Sequence, residues 1–233
     1  SGTSLDGVDG VVIDFDQGFR VLAHASQPFD AELRSELWSL NTPTENELHR
    51  AALAANGLSR TYADVVQSLL TRLKCHPKDI AAIGAHGQTV RHQPGLHDGL
   101  GYTLQLNNPA LLAELTGIDV VADFRSRDIA AGGQGAPLVP AFHQEVFGRR
   151  DACVAVLNIG GIANLSVLRP EQAAIGFDCG PGNAMLDHWC QLHTGQPYDN
   201  EGQWAASGEV QVDLLACLLS EPFFQAPPPK STG

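Results

Sequence analysis

The sequence predicts an α/β fold with two similarly built domains and a cleft between them, because strand patterns precede helical patterns twice along the chain. The order of patterns restarts after Arg149 and Arg150, so the predicted boundary lies near residue 150. It separates a first domain, residues 1–150, from a second, residues 151–233. A chain of 233 residues is long enough for each domain to bury a core of its own.

Apolar runs and helix-capping signals define the elements of the first half. Asp30 is a predicted helix cap, and Thr44 and Glu47 match a capping box, in which each side chain bonds a free N–H group of the first turn. Asn108, followed by a proline, is the predicted start of another helix. The predicted strands are residues 8–15, 20–29, 80–85, 102–106 and 118–122, followed by a loop over 124–136 and a helix over 138–147.

The second half begins with another predicted hairpin, whose strands meet at a glycine turn. The predicted strands are residues 153–159, 163–168 and 175–178, and the predicted helices are residues 184–193 and 210–219. Because this order of strands and helices repeats that of the first half, the two halves are interpreted as related domains.

Composition argues against several classes of function. Hydrophobic residues make up 43% of the chain and charged residues 17%, as in globular proteins. The net charge of −12 argues against a nucleic-acid-binding surface, which needs clustered Lys and Arg. No apolar run reaches membrane-spanning length. The five cysteines form no Cys-x-x-Cys pair, which predicts reduced thiols in the cytoplasm.

Two glycine-containing turns are candidate phosphate-binding loops. The first, residues 1–9, is small and hydroxylated, and the second, at Gly160 and Gly161, joins two apolar strands. Glycine lets backbone N–H groups approach phosphate oxygens closely. Ordinary turns are the alternative interpretation, since neither segment is a P-loop and no Gly-x-Gly-x-x-Gly follows a strand.

A few polar side chains are candidates for chemistry. Asp178, at a predicted strand end, is a candidate general base, with a turn-stabilising aspartate as the alternative. Arg125 and Arg127 lie beside a glycine loop and are placed to bind a phosphate or sugar oxygen, unless they form a solvated pair. The histidines at 86, 92 and 97 match no common metal-binding spacing, so no metal site is predicted.

A series of segments, taken together and in order, resembles the 1,6-anhydro-N-acetylmuramic acid kinase family. The resemblance runs from the first residue to the last, and the ordered set is far more specific than any single motif. The segments are residues 1–9, 84–90, 123–130, 132–140, 158–165, 176–183 and 229–233.

This resemblance implies two ribonuclease H-like domains around a nucleotide cleft, as in the actin-like, sugar kinase and heat-shock ATPase superfold. It implies a cytoplasmic enzyme of bacterial peptidoglycan recycling. With ATP and Mg²⁺, such an enzyme opens the 1,6-anhydro bond with water and phosphorylates O6, giving N-acetylmuramic acid 6-phosphate. The expected partners are the sugar and ATP, with no nucleic acid and no membrane, and a homodimer is left open.

The resemblance also assigns roles to residues. Asp178 would be the base that activates water, and no metal ligand is assigned. The residues that would bind the ATP phosphates are Gly2, Thr3, Ser4, Leu5, Asp6, Gly7, Val8, Asp9, Asn158, Gly160, Gly161 and Asn164. The residues that would line the sugar side are His86, Gln88, Arg125 and Arg127.

Relative to the family pattern, the chain is interpreted as a fragment. The strand before Ser1 and the distal part of the second domain, with the adenosine-binding glycines, are missing, so the fragment alone is expected to be inactive. Two alternative functions are kept: a phosphatase or ATPase of the same superfold acting on another substrate, and a non-catalytic sugar-binding or regulatory fragment. Only the kinase would consume ATP in an anhydro-sugar-dependent way.

Overall fold

The computed structural model describes residues 5–16 and 18–231 and confirms a mixed α/β protein. The chain divides into two compact units, residues 1–135 and 136–233. The division falls before the helix Pro140–Phe147, whereas the sequence placed the boundary after it, near residue 150. The helix belongs to the second unit because it packs on strands of that unit.

Groups of strands and groups of helices follow one another along both units. The strands are β1 (Gly7–Asp14), β2 (Arg20–Pro28), β3 (Ile83–Ala85), β4 (Gln88–Pro94), β5 (Gly101–Leu106), β6 (Val120–Ala122), β7 (Val154–Ile159), β8 (Ile162–Leu168) and β9 (Ile175–Pro181). The helices are α1 (Ala31–Ser39), α2 (Glu47–Leu73), α3 (Pro109–Thr116), α4 (Ser126–Ala130), α5 (Pro140–Phe147), α6 (Asn183–Thr194), α7 (Gln203–Ala206), α8 (Val212–Leu219) and α9 (Pro222–Gln225). Among the described residues, no helix is both long and apolar enough to cross a membrane.

The first unit is organised around the long helix α2. In this unit β1 pairs with β2 and β4 with β5, both antiparallel, and β3 pairs with β6 in parallel. Helix α2 packs on the β1–β2 hairpin so closely that a Cβ at Gly10 would lie 2.5 Å from Val65 Cγ1. Leu37, Leu58 and Leu112, from three different helices, are completely buried in this core. Burial of such side chains is the main source of stability for the unit.

The start of α2 differs from the predicted capping box. The backbone N–H of Thr44 donates to Glu47 Oε2 at 3.2 Å, which is the predicted glutamate half of the box. The threonine half does not form, because Thr44 Oγ1 accepts a hydrogen bond from Arg50 Nη1 at 2.9 Å and Asn46 is the N-cap residue. Two other predicted caps are confirmed: Asp30 Oδ1 accepts from Leu33 N and Asn108 Oδ1 accepts from Leu111 N.

The sheet of the second unit carries Asp178, the predicted catalytic base, and residues of the second predicted phosphate loop. Strands β7, β8 and β9 form an antiparallel three-stranded sheet in that order. Helix α5 packs on it, and a Cβ at Gly176 would lie 2.2 Å from Pro140 Cγ, so only glycine permits this approach. Strand β9 continues to Pro181, so Asp178 lies inside a strand and not at its end as predicted.

Candidate functional site

A row of polar side chains crosses the sheet of the second unit. Asn158 on β7 is the cross-strand partner of Asn164 on β8, and Asn164 is the partner of Asp178 on β9. Side chains of directly opposed residues in antiparallel strands lie on the same face and close together. The strand register therefore brings Asp178, the predicted base, beside Asn158 and Asn164, which were predicted to bind the ATP phosphates.

One hydrogen-bond acceptor in this row, Asn164 Oδ1, has no donor among the described residues. Asn164 Oδ1 is buried and accepts no hydrogen bond from the described residues. A buried polar atom left without a partner costs about 1–3 kcal/mol, so folded proteins retain few of them. Asp178 beside it is also buried, with 7% of its surface exposed. A donor on the substrate or a water molecule would satisfy this oxygen.

The glycine turn next to the row is held by the start of α6. The N–H of Asn183 donates to Gly160 O at 2.7 Å, and the N–H of Gly182 donates to Gly161 O at 2.9 Å. The side-chain amide of Asn183 also donates to Ile159 O at 3.2 Å. Carbonyl oxygens that would repel a phosphate are thus engaged by the protein itself. The N–H of Gly160 donates to Ile162 O at 3.3 Å, which leaves the N–H of Gly161 as the candidate donor to an anion in this turn.

Sequence reasoning missed the part that Gly182 and Asn183 play in shaping this turn. A Cβ at Gly182 would lie 2.3 Å from Gly160 O, so the close approach of β9 to the turn requires glycine. The available signal was the run Gly180-Pro181-Gly182-Asn183, which lies within the segment 176–183 that resembles the family. The sequence did not indicate that this run would contact the turn at Gly160 and Gly161.

In the first unit, His86 and Arg125 form a hydrogen-bonded pair. Arg125 Nε donates to His86 Nε2 at 2.8 Å, and Arg125 Nη1 donates to Gly135 O at 2.6 Å. The other ring nitrogen of His86, Nδ1, lies 2.7 Å from Gly87 O. Because Nε2 accepts from a guanidinium and Nδ1 faces a carbonyl, the arrangement fits a neutral imidazole protonated on Nδ1.

Burial lowers the pKa of His86 below its ordinary value of 6.5, and the positive charge of Arg125 lowers it further, whereas the Gly87 carbonyl raises it. Since the folded-state pKa is depressed, the unfolded state binds the proton more readily. The contribution of His86 to stability is therefore complete above pH 6.5 and is lost as the pH falls from there through the folded-state pKa.

We expect this loss to be visible in unfolding experiments. The free energy of unfolding of the wild-type protein should fall between pH 7 and pH 5, and part of that fall should disappear in His86→Gln, which cannot take up the proton. Denaturant unfolding at several pH values measures it. His49→Gln, which removes an exposed histidine of α2, is the control and should retain the wild-type pH dependence. Identical pH profiles for wild type and His86→Gln would contradict the expectation.

The two arginines of the glycine-loop segment differ in their surroundings. Arg125 is partly buried and engaged by His86 and Gly135, as described above. Arg127 is exposed, and its side chain forms no hydrogen bond or ion pair with any residue in the described part of the chain. Nearby, Asp128 Oδ2 accepts from Gly135 N at 2.7 Å and closes the loop. Arg127 thus retains its donors for a ligand.

Other predicted residues have distinct positions. Gln88 is almost completely buried on β4, where its Nε2 donates to Thr89 O at 3.4 Å. His92 Nδ1 lies 3.0 Å from Thr103 Oγ1, whereas His97 Nε2 lies 2.6 Å from Gln93 Oε1, so these histidines have separate partners. Within the described residues, no group of three His, Cys, Asp or Glu side chains is arranged to hold a metal ion.

Only part of the first predicted phosphate loop lies within the described residues. Gly2, Thr3 and Ser4 lie outside them, and Asp6 is exposed immediately before β1. Leu5, Gly7 and Val8, which the structure describes, are packed against the rest of the unit and do not form an exposed loop. Leu5 and Val8 are core side chains that can reach a ligand only through their backbone, and a Cβ at Gly7 would lie 2.4 Å from Gln27 O.

Asp9, the last residue of that loop, projects from β1 and bonds side chains of β2. Its Oδ1 accepts from Ser26 Oγ at 2.5 Å and lies 3.3 Å from His24 Nε2. The hydrogen bond from Ser26 lowers the pKa of the Asp9 carboxyl below its ordinary value, and contact with His24 adds to this, although slight burial acts in the opposite direction. A carboxylate held in this way would repel a phosphate, so Asp9 is poorly suited to direct contact.

Comparison with known proteins defines the class. The family model for anhydro-N-acetylmuramic acid kinase matches residues 1–233. A protein of that name from Variovorax paradoxus is 65% identical over 239 residues, covering 100% of this chain and 64% of the relative. One from Albidiferax ferrireducens is 61% identical over 254 residues, covering 100% of this chain and 65% of the relative. One from Bordetella pertussis is 63% identical over 236 residues, covering 100% of this chain and 61% of the relative.

These matches place the chain in a family of kinases. It belongs to the anhydro-N-acetylmuramic acid kinase family, which confirms the resemblance found in the sequence. The chain spans a little under two thirds of the length of the curated relatives named above, as their coverage of 64%, 65% and 61% shows.

Proposed function

We propose that the full-length protein is an ATP-dependent anhydro-N-acetylmuramic acid kinase. It opens the 1,6-anhydro ring of 1,6-anhydro-N-acetylmuramic acid with water and phosphorylates O6, giving N-acetylmuramic acid 6-phosphate and ADP. The observation that supports this most is the row of Asn158, Asn164 and Asp178 beside a glycine turn, in a chain of this family. The proposal includes two ribonuclease H-like domains around a nucleotide cleft, and a role in peptidoglycan recycling in the cytoplasm.

In the proposed reaction, Asp178 takes a proton from the water that attacks C1 of the sugar. The new bond joins the water oxygen to C1, the bond between C1 and O6 breaks, and O6 accepts the γ-phosphoryl group of ATP. A carboxylate positioned against the attacking water is what such a step requires. Asn164, whose buried Oδ1 accepts no hydrogen bond from the described residues, is placed to orient a donor on the substrate or that water.

The glycine turn is proposed to bind the nucleotide. Phosphoryl transfer depends mainly on positioning the phosphates and stabilising their charge. Gly161, whose carbonyl accepts from the N–H of Gly182, would supply a backbone N–H group together with Gly2–Asp6 of the first loop, and Gly160, whose N–H donates to Ile162 O at 3.3 Å, would contribute the shape of the turn. Mg²⁺ bound with ATP would neutralise phosphate charge, as it does in other kinases.

On the sugar side, Arg127 is proposed to bind the ligand and Arg125 to hold the loop. Arg127 is exposed with its donors available, whereas Arg125 uses Nε and Nη1 on His86 and Gly135. His86 would then act on the site through Arg125, and Gln88 through its buried position on β4. This division of roles separates two residues that the sequence could not distinguish.

The two arginines are therefore expected to respond differently to replacement by lysine. Arg125→Lys should lower the free energy of unfolding by about 1–3 kcal/mol, because one ammonium cannot replace both hydrogen bonds of the guanidinium. Arg127→Lys should leave the stability unchanged but lower kcat/KM for the sugar, because lysine lacks the bidentate fork. Thermal unfolding and steady-state kinetics measure both effects. Near-normal kcat/KM in Arg127→Lys would contradict a role in sugar binding and would mean that Arg127 is a solvated residue of the loop.

The overall function is tested by coupling ATP consumption to the sugar. Full-length protein should form ADP only when 1,6-anhydro-N-acetylmuramic acid is present, and the product should carry phosphate on O6. N-acetylmuramic acid without the anhydro bond is the matched control, and it should support little turnover. ATP consumption independent of the anhydro sugar would favour an ATPase or phosphatase of the same superfold instead.

A further inference from the structure

We propose that Lys230 is a positioning residue for Asp178, holding the strand that carries the carboxylate. The inference rests on the proposed role of Asp178 as the base and adds a residue that lies outside the assigned site. Lys230 belongs to the second unit and follows the short helix α9. It contacts both the strand and the helix, through different groups.

The first contact is made by the backbone of Lys230. The N–H of Asp178 donates to Lys230 O at 2.9 Å. Strand β9 is paired with β8 on one side, where Asp178 lies opposite Asn164, and is an edge strand of the sheet in the described residues. The Lys230 carbonyl therefore satisfies a backbone donor on the side of β9 away from β8, at the very residue proposed to be the base.

The second contact is made by the side chain of Lys230. Its Nζ donates to Phe223 O at 2.8 Å and lies 3.4 Å from Phe224 O, and it is 4.6 Å from the centroid of the Phe223 ring. Phe223 O also accepts from the N–H of Ala226 at 3.2 Å, and a cation at the carboxyl end of a helix adds a favourable electrostatic interaction with its last carbonyls. An ammonium over an aromatic ring adds a cation–π attraction. The side chain thus fastens the segment at 230 to α9.

The third contact is made by α9 on β9. The ring of Phe224 lies against Gly180, where a Cβ would come within 2.9 Å of Phe224 Cε1. Gly180 also has a φ of +140°, which disfavours any other residue. Residues 178 and 180 of β9 are therefore both contacted by the segment that Lys230 closes. We call this arrangement of Phe223, Phe224 and Lys230 the clasp.

The clasp has a consequence for catalysis. Without the ammonium, the segment at 230 is no longer tied to α9, and the N–H of Asp178 loses a fixed acceptor. Strand β9 would then keep its pairing with β8 but lose this contact on its other edge. A shift of about 1 Å in a catalytic group is enough to lower a rate about a hundredfold. The residues proposed to bind the sugar and ATP lie outside the clasp, so the effect should fall on kcat and much less on KM.

The test compares three variants of the full-length protein. Lys230→Met keeps the apolar stem over Phe223 but loses the donor, and it should lower kcat about tenfold or more with KM for sugar and ATP changed less than about twofold. Lys230→Arg keeps a cation that can donate and stack, and it should recover most of kcat. Lys78→Met, which removes an exposed lysine in the first unit, should leave kcat unchanged. Should Lys230→Met not fold, Lys230→Gln is measured in the same way with the same expected split.

Amide hydrogen exchange gives a second readout that does not depend on activity. The N–H of Asp178 should exchange faster in Lys230→Met than in wild type, while N–H groups of β8 that pair with β7 should be unaffected. Wild-type kcat and unchanged exchange at Asp178 in Lys230→Met would overturn the inference and leave the proposed function intact. If instead Asp178→Asn retains turnover, the role of the base fails, whereas faster exchange in Lys230→Met would still support the contact.

Discussion

Replacing Asp178 with asparagine in the full-length protein is expected to lower turnover by about a hundredfold to ten-thousandfold, the usual contribution of a positioned general base. Asparagine keeps the shape of the side chain in its row with Asn158 and Asn164, but it cannot accept a proton from water. Sugar binding and thermal stability should therefore change little. Steady-state kinetics, sugar binding by calorimetry and thermal unfolding together measure the three quantities.

Two controls make this result specific. Asp213→Asn changes an exposed aspartate of α8 in the same unit and should leave turnover at the wild-type level. Reaction in isotopically labelled water should place the label at C1 of the sugar product and not in the phosphate, because the water attacks the anomeric carbon. Near-normal turnover in Asp178→Asn, or label found in the phosphate, would contradict the proposed mechanism.

The structure explains why some elements could be predicted from sequence and others could not. Strands β1 and β7 are rich in apolar, β-branched residues, so their own residues indicate strands. Strand β4, Gln88–Pro94, was not predicted, because it is mostly polar and is stabilised by pairing with β5. Helix α4, Ser126–Ala130, was hidden in the predicted loop, since a helix of this length has almost no periodicity to detect.

The candidate site was predicted as a set of residues but not as an arrangement. The row of Asn158, Asn164 and Asp178 depends on strand register, which single strands do not specify. The contacts from Arg125 to His86 and from Asp178 to Lys230 join residues that are far apart in sequence. No spacing rule reports such contacts. The family resemblance identified the residues of the candidate site, but the residues that contact them are evident only from the structure.

Replacing Gly182 with alanine is also expected to have a large effect on activity, because Gly182 follows β9 and packs tightly against the glycine turn. The added Cβ would lie 2.3 Å from Gly160 O and 3.2 Å from Ala163 N, so the turn or the start of α6 must move. The φ of Gly182 is −123°, outside the left-handed region that favours glycine, and the close contact of the added Cβ with the turn is the expected source of the effect. Such overpacking costs about 1–3 kcal/mol.

Because the displaced carbonyl belongs to the turn proposed to bind phosphates, Gly182→Ala should raise KM for ATP by about tenfold or more, since each 1.4 kcal/mol corresponds to about tenfold in affinity. KM for the sugar should change much less. Gly208→Ala is the matched control: its Cβ would meet only Ala205 O, at 3.6 Å, which is an ordinary contact. Steady-state kinetics with each substrate varied in turn, together with thermal unfolding, measure both variants. Equal increases in the two KM values, or a wild-type KM for ATP in a destabilised Gly182→Ala, would mean that the turn shapes the fold and not the nucleotide site.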